Sequence, residues 1–268
     1  MSARSKRRKA SFDVPALSER GLNERQQRIL TAVVVILVVL IGGTALTFVV
    51  SRLGVRDPVP EQGSAADIGL PHPEEYQAWP SPALFGPIAD RAADRTPLRA
   101  EEVFAVKTVR SDKLTLKLLN RRLDSCAPAM WGGSALARLA GTGCSQAVRG
   151  LYLSADRRYV AQYTLFNMAN AKAAGDFVQQ MATLYRGGGW VRALESDAAA
   201  FGTDGYAEGS GYAMGHYAGF VWVARADGRE PTAKDDFVTL TLAVRAGEKA
   251  VYRRVVAVTG PSSSPAAG

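Results

Sequence analysis

The pattern of hydrophobic and polar residues divides the chain into five segments, and the most apolar one comes early. Residues 29–50 run for 22 positions without a charged side chain. A helix of that length is about 33 Å long, enough to cross a hydrocarbon core of about 30 Å. The apolar region of a cleaved signal peptide is shorter, about 7–15 residues. The pattern therefore predicts an uncleaved transmembrane helix over 29–50.

The charges beside this segment predict its orientation. Residues 1–28 hold eight Lys or Arg residues and three acidic ones, whereas only Arg52 and Arg56 follow closely. Because positively charged flanks stay in the cytoplasm, we expect 1–28 to be a basic cytoplasmic tail near anionic lipid headgroups. The C-terminal domain would then be extracytoplasmic, at the cell membrane. The net charge of +8 is mainly this membrane signal, so no nucleic-acid partner is expected.

Three further segments follow the predicted span. Residues 51–98 contain eight of the 13 prolines, and such density opposes both helix and sheet. They are predicted to form a Pro-rich tether. Residues 99–259 have the periodic patterns of one folded extracytoplasmic α+β domain, and 260–268 form a polar, disordered tail.

Short periodic segments predict the elements of this domain. Alternating residues predict strands over 101–109, 113–119, 145–153, 158–168 and 212–228. Helical spacing predicts a short helix over 133–141 and a longer one that begins at an Asn170 cap and ends before Gly187. This order favours an α+β fold class: one transmembrane helix, followed by an antiparallel sheet covered by helices on one face.

Residues 235–258 fit two structures. The run VTLTLAVR alternates strictly, which is typical of a strand. Apolar residues also recur at seven-residue intervals from Phe237 to Val258, and Thr232 with Asp235 has the form of a capping box. We expect a long C-terminal helix, with a hairpin as the alternative.

Cys126 and Cys144 are the only cysteines. A zinc site needs about four ligands, and the same part of the chain adds only His72 and His216. The pair also lacks the C-x-x-C spacing of a redox motif. Outside the cytoplasm two such cysteines most simply form a disulfide, with two buried free thiols as the alternative. No metal or cofactor is expected.

Candidate ligand-binding residues lie in the aromatic strand pattern, at Tyr212, His216, Tyr217 and Trp222. Rings on an exposed sheet face could bind a sugar or a peptide, although the same alternation describes a packed core. No serine lies in a G-x-S-x-G setting, and the glycines of 202–219 lack the context of a phosphate loop. No catalytic residue is therefore assigned.

Three stretches carry a resemblance to a known group. EEVFAVKTV, GTGCSQAVRGLYLS and GHYAGFVWVARADGREPTAKD resemble actinobacterial single-pass membrane proteins of unknown function, over roughly residues 100–256. The resemblance implies an extracytoplasmic domain stapled by one disulfide. It implies no established activity and no catalytic residues.

The leading functional hypothesis is a non-enzymatic binding or sensing module for an envelope ligand or an envelope protein partner. The alternatives are an envelope enzyme with a dispersed acid, Tyr and His site, and a structural scaffold of a membrane complex. A deep pocket that holds His216 with a hydrogen-bonded carboxylate would favour the enzyme. A shallow aromatic face would favour binding, and a featureless surface would favour the scaffold.

Overall fold

A computed structural model describes residues 69–203 and 205–260, and its centre is one seven-stranded sheet. The strand order is β1-β6-β7-β5-β4-β3-β2. The strands are β1 (Glu75–Trp79), β2 (Thr108–Ser111), β3 (Leu114–Asp124), β4 (Gln146–Ser154), β5 (Tyr159–Asn167), β6 (Ala207–Met214) and β7 (Tyr217–Arg225). Strand β1 pairs parallel to β6, whereas the other neighbours are antiparallel. The predicted antiparallel sheet is therefore wrong, because the sheet is mixed.

Helices cover both faces of the sheet, not one as predicted. They are α1 (Ala100–Val103), α2 (Gly133–Ala140), α3 (Ala171–Leu184), α4 (Phe237–Val244) and α5 (Lys249–Thr259), with 3-10 helices at Ala83–Ile88, Ala127–Ala129 and Arg245–Glu248. Helices α2 and α3 contribute to one hydrophobic core. Helices α1, α4 and α5 and the 3-10 helix Ala83–Ile88 contribute to a second core. Alternate residues of β4 and β5 point into each core, since successive strand residues face opposite sides of a sheet.

The central hairpin and the long helix form as their local patterns predict. Strands β4 and β5 are joined by a short turn and are buried almost throughout. Helix α3 begins at Asn170, whose side chain accepts a hydrogen bond from the Ala173 amide, so the predicted N-cap is confirmed. Segment 101–109 differs, because its first residues form α1 and only Thr108–Ser111 is a strand.

The aromatic segment 212–228, predicted as one strand, contains parts of two strands. It turns at Gly215 and His216, between β6 and β7. Gly215 has a φ of +60°, and glycine tolerates this left-handed backbone best. Large apolar residues continue at every second position through the turn, but they face one side of the sheet in β6 and the opposite side in β7. Tyr212 and Met214 contribute to one core, whereas Phe220 and Trp222 belong to the other.

The C-terminal segment is helical, as favoured over a hairpin. It forms α4 and α5 with a 3-10 turn between them, so the long helix is interrupted. The cap of α4 is Asp236, which accepts a hydrogen bond from the Thr239 amide at 2.9 Å. Asp235 instead accepts hydrogen bonds from the backbone amide and hydroxyl of Thr232.

The folded region begins within the segment that the sequence predicts to be a tether. Strand β1 lies there, and Phe85, Ile88 and Leu98 are buried in the second core. In the part of the chain that the structure describes, no helix combines the length and apolar character needed to cross a membrane. The transmembrane helix in the predicted fold class is not found among these residues, and segment 29–50 lies outside them, as do residues 1–68 and 261–268.

Candidate functional site

A groove lies over strands β1 and β6 on the α4 side of the sheet. Its floor consists of three directly opposed residue pairs of the two strands: Glu75 with Glu208, Gln77 with Ser210, and Trp79 with Tyr212. We call this cavity the β1–β6 groove. Its volume is about 470 Å³, within the range of about 300–1,000 Å³ typical of small-molecule sites.

The groove is open because the helices on this face lie over other strands. Helix α4 packs on β2, β3, β5 and β7, so the outer residues of β1 and β6 face a cavity. The wall of the groove is the outward side of α4, where Val238 and Leu242 are 73% and 58% exposed. Phe85 and Tyr252, whose ring centroids are 5.2 Å apart, also line the groove. Such neighbouring exposed apolar side chains are typical of a binding surface.

One end of the groove is acidic. Glu75 and Glu208 are directly opposite each other, and Glu208 accepts a hydrogen bond from the Tyr206 hydroxyl at 3.1 Å. Within residues 69–203 and 205–260, neither carboxylate forms an ion pair. Partial burial raises the pKa of Glu208; the Tyr206 hydrogen bond opposes this, and the Glu75 charge adds to it. This end therefore carries negative charge that no ion pair among the described residues balances.

The other end is aromatic and electrically balanced. The Trp79 and Tyr212 rings are nearly parallel, with centroids 6.4 Å apart. The Arg245 guanidinium lies 3.8 Å from the Tyr212 ring centroid. Arg245 also donates two hydrogen bonds to Glu248, at 2.7 and 2.9 Å. Burial raises the pKa of Glu248, and the bonds to Arg245 oppose this shift. The charges at this end compensate each other.

Only one of the four predicted ligand-binding residues lines the β1–β6 groove. Tyr212 does so, whereas His216, Tyr217 and Trp222 are completely buried. Trp222 lies in the first core, stacked on Phe201 with ring centroids 3.7 Å apart. The structure therefore does not bring the four residues together in one site.

His216 and Tyr217 belong to a buried polar network at the end of the β6–β7 hairpin. His216 Nδ1 donates to the Ile88 carbonyl at 2.7 Å, and its Nε2 lies 3.8 Å from Asp94. Asp94 accepts a hydrogen bond from the Tyr217 hydroxyl at 2.6 Å and pairs with Arg254 at 3.1 Å. Burial lowers the pKa of His216. The network connects the segment before α1 and helix α5 to the sheet.

The two cysteines form a disulfide, as predicted. Cys126 and Cys144 are bonded with their Cα atoms 6.2 Å apart, and the loop between them contains α2. Among the described residues, no group of three or more His, Cys, Asp or Glu side chains is placed to hold a metal ion.

Most of the groove was missed from the sequence, although a signal exists. EYQAW alternates so that Glu75, Gln77 and Trp79 share a face, but the surrounding prolines suggested a tether. Glu208, Ser210 and Tyr212 also alternate, and the glycines between them suggested a loop. A search for period-two patterns with glycine at every second position would have found β6.

Comparisons with known proteins found no relative of this chain. No protein-family model matches the chain, and neither a curated protein nor a solved structure matches it. The fold and the β1–β6 groove are therefore the basis for any functional conclusion.

Proposed function

We propose that the described domain is a non-enzymatic binding module and that the β1–β6 groove is its site for a small ligand. The observation that carries this proposal is the uncovered stretch of sheet, where Trp79 is 49% exposed beside the apolar wall of α4. Exposing such surface to water is unfavourable, and a ligand would cover it.

The alternatives have less support. An enzyme site at His216 would need an accessible ring and a hydrogen-bonded carboxylate. His216 is completely buried, and its Nε2 lies 3.8 Å from Asp94. A scaffold would need no shaped cavity with aromatic residues. An envelope protein partner and the resemblance to actinobacterial membrane proteins stay predictions.

An extracytoplasmic location is part of the same proposal. The Cys126–Cys144 disulfide supports it, because disulfides persist mainly in oxidising compartments. A reporter fused to the C-terminus should be active outside the cytoplasm, and activity only inside it would contradict this location.

Tryptophan fluorescence of the full chain tests the binding function. Trp79 is half-exposed, whereas the other three tryptophans, Trp131, Trp190 and Trp222, are buried. Acrylamide should therefore quench mainly Trp79, and a small aromatic alcohol such as 4-phenylbutan-1-ol should reduce the quenching as it fills the groove. Leu242→Ser should weaken this ligand about fivefold, equivalent to about 1 kcal/mol of apolar contact.

A matched control is available on the neighbouring helix. Val256 is 61% exposed on α5 and is not among the residues that line the groove. Val256→Ser should leave the affinity unchanged. If the alcohol never protects Trp79, or if both variants change its affinity equally, the groove is not the site.

A further inference from the structure

The middle of the groove floor contains a polar group without a partner. Ser210 lies between Glu208 and Tyr212 on the same side of β6, lines the cavity and is only 8% exposed. Among the described residues its hydroxyl makes no hydrogen bond to the protein, and the oxygen is accessible from the cavity. A ligand in the groove would supply the missing partner.

The acidic end has no ion-pair partner among the side chains that the structure describes. Like charges directly opposite each other on neighbouring strands are destabilising, and Glu75 and Glu208 are so placed. The other charges that line the groove are those of Arg245 and Glu248, and these two are bonded to each other. The uncompensated charge of the groove is therefore negative and lies at one end.

The aromatic end offers a surface for an apolar body. Trp79 and Tyr212 lie four residues along their strands from the acidic pair, a distance of about 13 Å at about 3.3 Å per residue. Aromatic faces bind apolar groups well and also attract cations. Here the Arg245 guanidinium already lies over the Tyr212 ring, so the acidic pair is the better place for a ligand's cation.

We propose that the β1–β6 groove binds a small molecule with an apolar, aromatic body and an ammonium or guanidinium group. The cation lies between Glu75 and Glu208, the body lies along Trp79 and α4, and a polar atom between them bonds to Ser210. This inference rests on the proposed binding function and adds the chemical class of the ligand.

Three probes that differ in their end group test it with the full chain. They are 4-phenylbutan-1-amine, 4-phenylbutan-1-ol and 4-phenylbutanoate, positive, neutral and negative at pH 7. Protection of Trp79 from acrylamide gives each affinity. We expect the amine to bind about tenfold more tightly than the alcohol, because its hydrogen bonds to the carboxylates are charge-assisted. The carboxylate should bind more weakly than the alcohol.

Variants assign this preference to the acidic pair. The Glu75→Gln and Glu208→Gln double variant should bind amine and alcohol within about twofold of each other, because only the charges are removed. Glu74→Gln removes an exposed carboxylate beside β1 that does not line the groove. This control should leave the preference intact.

The outcomes separate the two proposals. If the amine and the alcohol bind equally to the wild-type chain, or if the preference persists in the double variant, the ligand class is wrong and the binding function stands. If the amine does not bind at all, the ligand class is also wrong. Protection of Trp79 by the alcohol then remains the test of the binding function.

Discussion

The two sides of strands β1 and β6 differ sharply. On the α3 side Tyr76 packs against the first core, and its hydroxyl donates to the Val178 carbonyl at 2.8 Å. A Cβ atom at Gly211 would lie 2.0 Å from that hydroxyl oxygen, so glycine is needed for this close approach. On the α4 side the same strands present acidic, polar and aromatic side chains to a cavity.

Within β1 and β6, the residues that stabilise the fold lie on the α3 side, and the residues proposed to bind a ligand lie on the α4 side. The α3 side is closed by aromatic packing, and side chains deleted there leave voids. The α4 side is open and contains two like charges directly opposite each other, which do not favour folding. Features that oppose stability at a folded surface are typical of functional sites.

The largest expected change is a loss of folding stability when an aromatic ring is removed from the closed side. Phe177 of α3 is buried against Phe166 and Phe220, so Phe177→Ala should lower the free energy of unfolding by about 3–5 kcal/mol. Leu242→Ala on the open side should change it by less than about 0.5 kcal/mol. Urea unfolding followed by tryptophan fluorescence measures both, and equal losses would remove the contrast between the two sides.

The disulfide gives the next largest effect, and it also acts on the closed side. Cys126 belongs to the first core, and its bond to Cys144 spans a sequence separation of 18. Replacing both cysteines by serine should lower the free energy of unfolding by roughly 3 kcal/mol, because the unfolded chain gains freedom.

The groove should be unaffected by this change. In the absence of urea, acrylamide quenching of Trp79 in the double serine variant should match that of the wild-type chain. A change in quenching without a loss of stability would mean that the disulfide shapes the open side instead.

The smallest expected effect is a gain in thermal stability, and it comes from a residue on the open side. Burial raises the pKa of Glu208, so the folded chain binds this proton more tightly than the unfolded chain. The stability from the protonated form is present at low pH and is lost as the pH rises through the raised pKa. Glu208→Gln should therefore raise Tm at pH 7, with the gain disappearing below the ordinary pKa of glutamate, about 4.3.

Thermal melts at several pH values measure this gain. Glu230→Gln, in an exposed loop, is the control and should shift Tm little at any pH. If Glu208→Gln lowers Tm at pH 7, the charge of Glu208 stabilises the fold. The argument that Glu75 and Glu208 oppose stability, and therefore serve binding, would then fail.

The sequence predicts elements with strong local signals and misses those that depend on distant partners. Strands β4 and β5 and helix α3 have clear periods and a good cap at Asn170, so local reasoning finds them. Strand β1 is short, lies among prolines and gains its hydrogen bonds only from β6. Nothing within its own segment indicates that partner.

The residues of the candidate site could not be grouped from the sequence, for a related reason. Tyr212 was predicted because its aromatic run is conspicuous, but its floor partner Trp79 pairs with it only through the parallel register of β1 and β6. Trp222 has the same sequence signal as Tyr212, yet the turn at Gly215 places it in the opposite core. A face cannot be assigned from alternation alone when a two-residue turn lies inside the run.

The parallel pairing of β1 with β6 also has a consequence for the order of folding. Every other strand pair is antiparallel and joins segments closer in the chain, whereas Glu75 of β1 and its partner Glu208 of β6 are more than 130 residues apart. Among the strand pairs this one closes the longest loop, and contacts between segments that are distant in the chain tend to form late. Newly made chains should therefore form the β4–β5 hairpin before β1 docks, and the β1–β6 groove, whose floor needs both strands, is complete only after that docking.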